Sequence, residues 1–212
     1  MDSLSMKPED IEVESFRIID AEAGDHGWPW QEWQIVRRAI HTSADFEYAQ
    51  SMVMSDDLVD KAIAALRSGA GIVTDTNMAL SGISKPRLSP LGCPVSCHVA
   101  DQDVADQARV EGITRSISAM RKSVANPENR IFVIGNAPTA LFELLRLIET
   151  GAAKPALIIG LPVGFVGAEE SKNALASCTY DIPFITNIGR KGGSNVAAAV
   201  VNALAILATA QR

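Results

Sequence analysis

The sequence predicts an α/β fold: a mostly parallel central sheet flanked by helices on both faces, Rossmann-like but without the dinucleotide fingerprint. Three observations predict it. The runs "RIFVIG" (130–135), "PALIIGLP" (155–162) and "PFITNIG" (183–189) are continuously apolar, as strands buried on both faces are. Each is followed by a short loop and then a stretch of helical periodicity, which is the rhythm of strand–helix units. Neither G-x-x-x-x-G-K-[ST] nor G-x-G-x-x-G lies between a strand and a helix.

Taken in order, residues 1–54 read as a helical preface and 55–212 as the α/β body, together one domain. The helix opening at "WPWQEWQIV" has Pro29 in its first turn. At 100° per residue its apolar face is Trp33, Val36, Ala39 and Ile40, and Arg37, Arg38 and His41 share one flank. "SDDLVDKAIAALRSG" (55–69) is a helix with Ser55 placed to cap it and Gly69 to end it. "GIVTD" (71–75) is a buried strand, and 101–124 is a mostly polar helix. "APTALFELLRLIETG" (137–151) is a helix in which Asn136 can cap and Pro138 sits in the first turn, leaving backbone N–H groups free for an anion. The chain closes on an alanine-rich helix.

Composition narrows the function classes. A net charge of −6 opposes any general affinity for nucleic acid, which requires a basic face. The stretch "NVAAAVVNALAILATA" (195–210) is too short to span a bilayer and is interrupted by Asn202. The N-terminal "MDSLSMKPEDIEVES" carries acids where an export signal has an apolar core, so the expected location is cytoplasmic. Cys93, Cys97 and Cys178 are an odd number in such a chain and predict no disulfide framework. "CPVSCH" (93–98) lacks the C-x-x-C spacing of zinc sites, and its cysteines read as small apolar residues.

In an open sheet of this kind, ligands bind at the carboxyl ends of the strands. The loops predicted there are "TDTNMALSGISKPR" (74–87), with Thr76, Ser84 and Lys85; "GNAPTA" (135–140), with Asn136; "GLPVGFVGAEES" (160–171); and "GRKGGSN" (189–195), with Arg190. Their glycines and cations suit a large anionic ligand without demanding a phosphate. Two readings of His41 stay open: a boundary histidine bonded to a carbonyl, or a proton donor and acceptor. No G-x-S-x-G elbow or other nucleophile constellation occurs. The loops alone equally fit a nucleotide- or phosphosugar-binding enzyme.

Seven segments go further: "ESFRII" (14–19), "VRRAIHTSADFE" (36–47), "TDTNMALSGISKPRL" (74–88), "GITRS" (112–116), "GNAPTALFELL" (135–145), "KPALIIGLPVGFVGAEESK" (154–172) and "GRKGGSNVAAA" (189–199). In this order they resemble the precorrin-8X methylmutases, including the cobalt-precorrin-8 methylmutases. The resemblance implies an isomerase of corrin ring synthesis that moves a methyl group from C11 to C12 of a tetrapyrrole by a 1,5-sigmatropic shift. It yields hydrogenobyrinate or cobyrinate and needs no added cofactor or protein-bound metal. It further implies a homodimer with an α/β core, with His41 as the catalytic histidine, Ser15 and Arg38 as substrate-binding residues and Arg115 as an arginine of the active site. A non-catalytic tetrapyrrole carrier is the rival reading within the same resemblance.

Overall fold

The structure, a computed structural model, describes residues 7–210. Residues 1–6 of the acidic N-terminal stretch, and 211–212, lie outside it. Six strands form one sheet in the order β1-β6-β5-β4-β2-β3. These are β1 (Met52–Met54), β2 (Gly71–Thr74), β3 (Val95–Ser96), β4 (Asn129–Ile134), β5 (Leu157–Gly160) and β6 (Phe184–Asn187). All neighbours pair parallel except the edge strand β1, which runs antiparallel to β6 with Val53 opposite Thr186.

Strand residues alternate between the two faces, so each face builds its own core. Ile72, Ile131, Val133, Leu157, Ile159 and Ile185 point to one side, toward α2 (Trp30–Ser43), α4 (Leu58–Arg67) and α11 (Ser194–Thr209). Val73, Phe132, Ile134, Ile158 and Phe184 point to the other, toward α8 (Arg115–Val124), α9 (Pro138–Glu149) and α10 (Ala168–Ala176). The helix α11 is buried nearly all round, from Val196 to Ala208, and its alanines let α2 and α4 approach it closely. Among the described residues no helix is long and apolar enough to cross a membrane.

Several local expectations change. The polar segment 101–124 is two helices, α7 (Gln102–Glu111) and α8, because Gly112 takes a left-handed turn at φ 67° and Thr114 caps the next helix by accepting from the Ile117 N–H. Ser55 does not cap α4; its hydroxyl accepts from the Phe184 N–H and ties that corner to β6. Pro29 is the residue before the first turn of α2 rather than within it. Strand β1 lies in the segment read as helical, and β3 is a strand of two residues; both are too short for periodicity to register.

The chain leaves β2 for β3 on one side and returns to β4 on the other, so the topological switch lies between the carboxyl ends of β2 and β4. Here Asn136 does not cap α9. The buried Asp75 carboxylate, one residue beyond β2, accepts from the Gly135, Asn136 and Ala137 N–H groups at 3.0, 2.8 and 2.7 Å. An internal anion therefore occupies the position at which an open sheet of this class binds a ligand's anion. Burial pushes Asp75 above the usual carboxylate range, and the N–H donors pull the other way. Gly135 is obligatory beside it, since a Cβ there would stand 2.6 Å from Ser194 Cα at the start of α11.

The second buried charge is Lys172 of α10, which is 1% exposed. Among the described residues its ammonium pairs with no carboxylate; it donates to Asn187 Oδ1 at 3.2 Å and to the Lys191 carbonyl at 2.5 Å. Burial lowers its pKa to about 8.

Two stability predictions follow from these groups. Replacing Asp75 with alanine leaves three backbone donors unpaired and is expected to cost roughly 3 kcal/mol or more, read as a lower midpoint in denaturant unfolding. For Lys172 the native state holds its proton less tightly than the unfolded chain. Between pH 8 and the ordinary lysine value near 10.5 the unfolded state therefore binds more protons, and rising pH favours the native state. The stability of the wild type relative to Lys172→Met should climb across that window by up to roughly 3 kcal/mol. A flat difference would mean that the folded protein holds the Lys172 proton as tightly as the unfolded chain does.

Candidate active site

Helix α2 ends on His41, Thr42 and Ser43, and Ala44 closes it in a left-handed conformation at φ 54° with its N–H on the Ile40 carbonyl. Ala39 and Ile40, buried against α11, force the next residue, His41, out of the core. His41 is exposed at the mouth of a cavity of about 220 Å³ between α2, α11 and α5 (Asn77–Gly82). The same cavity holds Arg38, Asn195 and Asn202, with Gly82 and Ala198 supplying bare walls. A larger hollow of about 380 Å³, lined by Arg130 and Lys154, lies at the amino ends of β4 and β5, the wrong edge for a site of this fold.

Helix α1 (Pro8–Ala23) covers the flank of α2 that carries the two arginines. The Phe16 ring lies 5.1 Å from the His41 ring, with the Arg37 and Arg38 guanidinium carbons 4.4 and 5.0 Å from its centre. Arg37 pairs with Asp20 at 3.0 Å, and Asp20 also accepts from Trp33 Nε1. Arg38 pairs with Glu12 at 2.5 Å. The two arginines that share this flank with His41 are thus paired with acids from α1. Ser15 donates to the Ile11 carbonyl one turn earlier, next to Phe16 but outside the cavity lining.

The strand-end loops converge on the start of α11. Thr76 caps α5 by accepting from the Ala79 N–H, and its hydroxyl bonds to that of Ser194 at 2.8 Å. Ser84 donates its N–H to Asn202 Oδ1, and Asn202 Nδ2 returns a bond to the Gly82 carbonyl. Asn202, an interruption in an apolar run by sequence, is the clamp that shapes this wall. Lys85 follows Ser84 at the exposed start of α6 (Lys85–Leu88). On the far side of α11, Arg115 and Asn136 are both exposed, at the starts of α8 and α9, which a Thr114–Thr139 hydroxyl contact joins. Arg190 is exposed over Phe165, 3.9 Å from Glu169. Of the predicted residues Arg38 and His41 line this cavity, while Thr76, Ser84, Lys85, Arg115, Asn136 and Arg190 lie on the strand-end loops and helix starts and Ser15 on α1.

The sequence reading missed the residues that fix His41 in place. Lys191 donates to Asp45 and Glu47, just beyond α2, at 2.6 and 2.7 Å, and holds the Asp45 carboxyl below its usual range. Asn195 Nδ2 reaches the Thr42 carbonyl at 3.5 Å. Such pairs at wide sequence separation leave no local signal. In the former metal candidate, the Cys93 thiol donates to the Leu66 carbonyl, and His98 pairs with Asp101.

The geometry is that of a half-open trough. A titratable imidazole stands beside a guanidinium and two amides, and apolar side chains rim the edge: Met78, Phe165 and Val166 are 70%, 85% and 89% exposed. It can bind a carboxylate at one end and move a proton at the other, and it accepts only the margin of a large ligand within its own walls.

Comparison with known proteins gives the family. A family model described as precorrin-8X methylmutase matches residues 10–207. Cobalt-precorrin-8 methylmutase of Priestia megaterium is 48% identical over 205 residues, covering 97% of this chain and 90% of the relative. Precorrin-8X methylmutase of a Sinorhizobium species is 43% identical over 191 residues, covering 90% of each. The crystal structure of a precorrin-8X methylmutase from Thermus thermophilus superposes with a TM-score of 0.85 at 40% identity, covering 93% of this chain and 96% of that one. Relatives named for both forms of the substrate align along the whole α/β body, and this chain belongs to the precorrin-8X methylmutase family, isomerases of cobalamin biosynthesis that transfer a methyl group within one molecule.

Proposed function

We propose that this protein moves a methyl group from C11 to C12 of precorrin-8X or cobalt-precorrin-8, giving hydrogenobyrinate or cobyrinate, with His41 as proton donor and acceptor. The observation that carries the reading is His41 at the mouth of a cavity that also holds Arg38, on a helix end pinned from two sides. The chain acts as a single domain, as a homodimer in the cytoplasm.

The reaction asks little covalent work of the protein. The C11–methyl bond breaks as the C12–methyl bond forms, the migrating group keeps its bonding pair within the conjugated ring, and no atom is gained or lost. Protonation of the macrocycle by His41 draws electron density from the ring and lowers the barrier to migration; the proton returns to His41 afterwards. A nucleophile has no place in this scheme. The peripheral acetates and propionates of the substrate meet Arg38, with Arg115, Lys85 and Arg190 around the rim and Ser15, Thr76, Ser84 and Asn136 as polar contacts. Met78, Phe165 and Val166 supply apolar surface for a flat ring too large for the cavity, or for the second copy of the chain.

The internal carboxylate of Asp75 weighs against the nucleotide reading, because the N–H groups that would bind a phosphate at the β2–β4 switch are already occupied.

Substituting His41 by alanine should lower the rate of conversion by about 10²–10⁴-fold and leave pigment binding nearly intact, both followed in the visible spectrum with metal-free and cobalt-containing substrate. Conversion at the normal rate would remove His41 from the chemistry. Arg38→Met is expected to weaken pigment binding by about tenfold while changing turnover little, since its contact with a peripheral carboxylate is the same before and during migration.

A further inference from the structure

The end of α2 that carries His41 is held by a chain of contacts beginning in the buried interior. Lys172 of α10 donates to the Lys191 carbonyl at 2.5 Å, and Asn187, at the end of β6, donates to the same carbonyl at 2.9 Å. With its carbonyl so fixed, Lys191 sends its side chain outward to Asp45 and Glu47. Asp45 follows Ala44, an alanine in the left-handed region, which a side chain holds only when its surroundings impose it. Gly192 and Gly193 lock the other side of the loop: a Cβ on Gly192 would lie 2.3 Å from the Leu161 carbonyl oxygen, and the Gly193 N–H donates to that oxygen at 2.9 Å.

We propose that Lys172 acts through Lys191 as a positioning residue for His41. A buried ammonium with only two neutral acceptors is an unfavourable way to fill a core, and methionine would fill the space without desolvating a charge. What the ammonium supplies is direction, because it fixes a carbonyl whose own residue grips the chain just past the helix end, four and six residues beyond the histidine. The imidazole must stand within hydrogen-bond reach of one ring atom, so a displaced helix end slows proton transfer while binding by the rim persists. This rests on the reading of His41 as proton donor.

The test uses the intact protein with isotope-labelled histidine, in which His26, His41 and His98 are the three histidines to assign. Lys191→Met and Lys172→Met should each move the His41 imidazole resonances and leave those of His98 in place. Each should lower kcat by about tenfold with KM and pigment binding within about twofold. The double variant should be no slower than the slower single one, since both act on one chain of contacts. Lys191→Arg, which keeps the grip on both carboxylates, should restore most of the rate. Should Lys172→Met fail to fold, Asn187→Ala takes its place, as it removes the other donor to the same carbonyl.

Unmoved His41 resonances with unchanged kcat in Lys191→Met would overturn the proposal, as would strictly additive losses. Normal turnover by His41→Ala would instead sink the proton-donor reading, whereas the resonance shifts would still report whether the lysines position the ring.

Discussion

The carboxylate of Asp75, sunk between the ends of β2 and β4 and holding three backbone N–H groups, is the contact on which the layout of the strand-end edge depends. It draws the β4 loop against the β2 loop and so sets Gly135 directly under the start of α11. From that point α11 runs back through the core, Thr76 and Asn202 hang the β2 loop on it, and α2 lies along its flank with His41 near its amino end. The contact also has a chemical consequence. Sheets of this class usually offer the switch point to a ligand, and here the protein has filled it with its own acid. The site proposed here lies to the side, in the trough between α2, α5 and α11.

That displacement explains the mixture of rigidity and openness around the site. Bare backbone at Gly135 and Gly192 lets loops stack where any side chain would collide, and buried lysine and asparagine side chains staple the loops from beneath. Above this frame exposed cations alternate with uncovered apolar side chains, Phe165 and Val166 most exposed among the latter. A rigid floor with a greasy rim suits a flat conjugated ring edged with carboxylates.

The sheet and its helical layers were legible in the sequence because β5, β6 and β4 from Ile131 onward are fully buried and say so by apolar runs. The edge strands β1 and β3 escaped notice, since two or three residues carry no period. Local rules misjudged the caps wherever a distant group won. Asn136 lost the α9 start to Asp75, and Ser55 was taken by Phe184. At the site, helical periodicity located the flank of Arg37, Arg38 and His41, and only resemblance to known methylmutases gave it a role. The partners of that flank, Glu12, Asp20, Asp45, Glu47 and Lys191, were invisible because ion pairs between separate elements follow from the fold and not from spacing.

If Arg38 binds a substrate carboxylate as proposed, its pairing with Glu12 gives the first helix a part in ligand binding. Arg38 is already matched to an acid before any ligand arrives, so an incoming carboxylate exchanges with Glu12 instead of adding to a bare cation. The displaced acid belongs to α1, whose remaining hold on this face is the Phe16 ring, Ile19 and the Asp20 contacts. Occupancy of the site and the seating of α1 are therefore thermodynamically linked: whatever loosens α1 favours the ligand, and the ligand loosens α1 in equal measure.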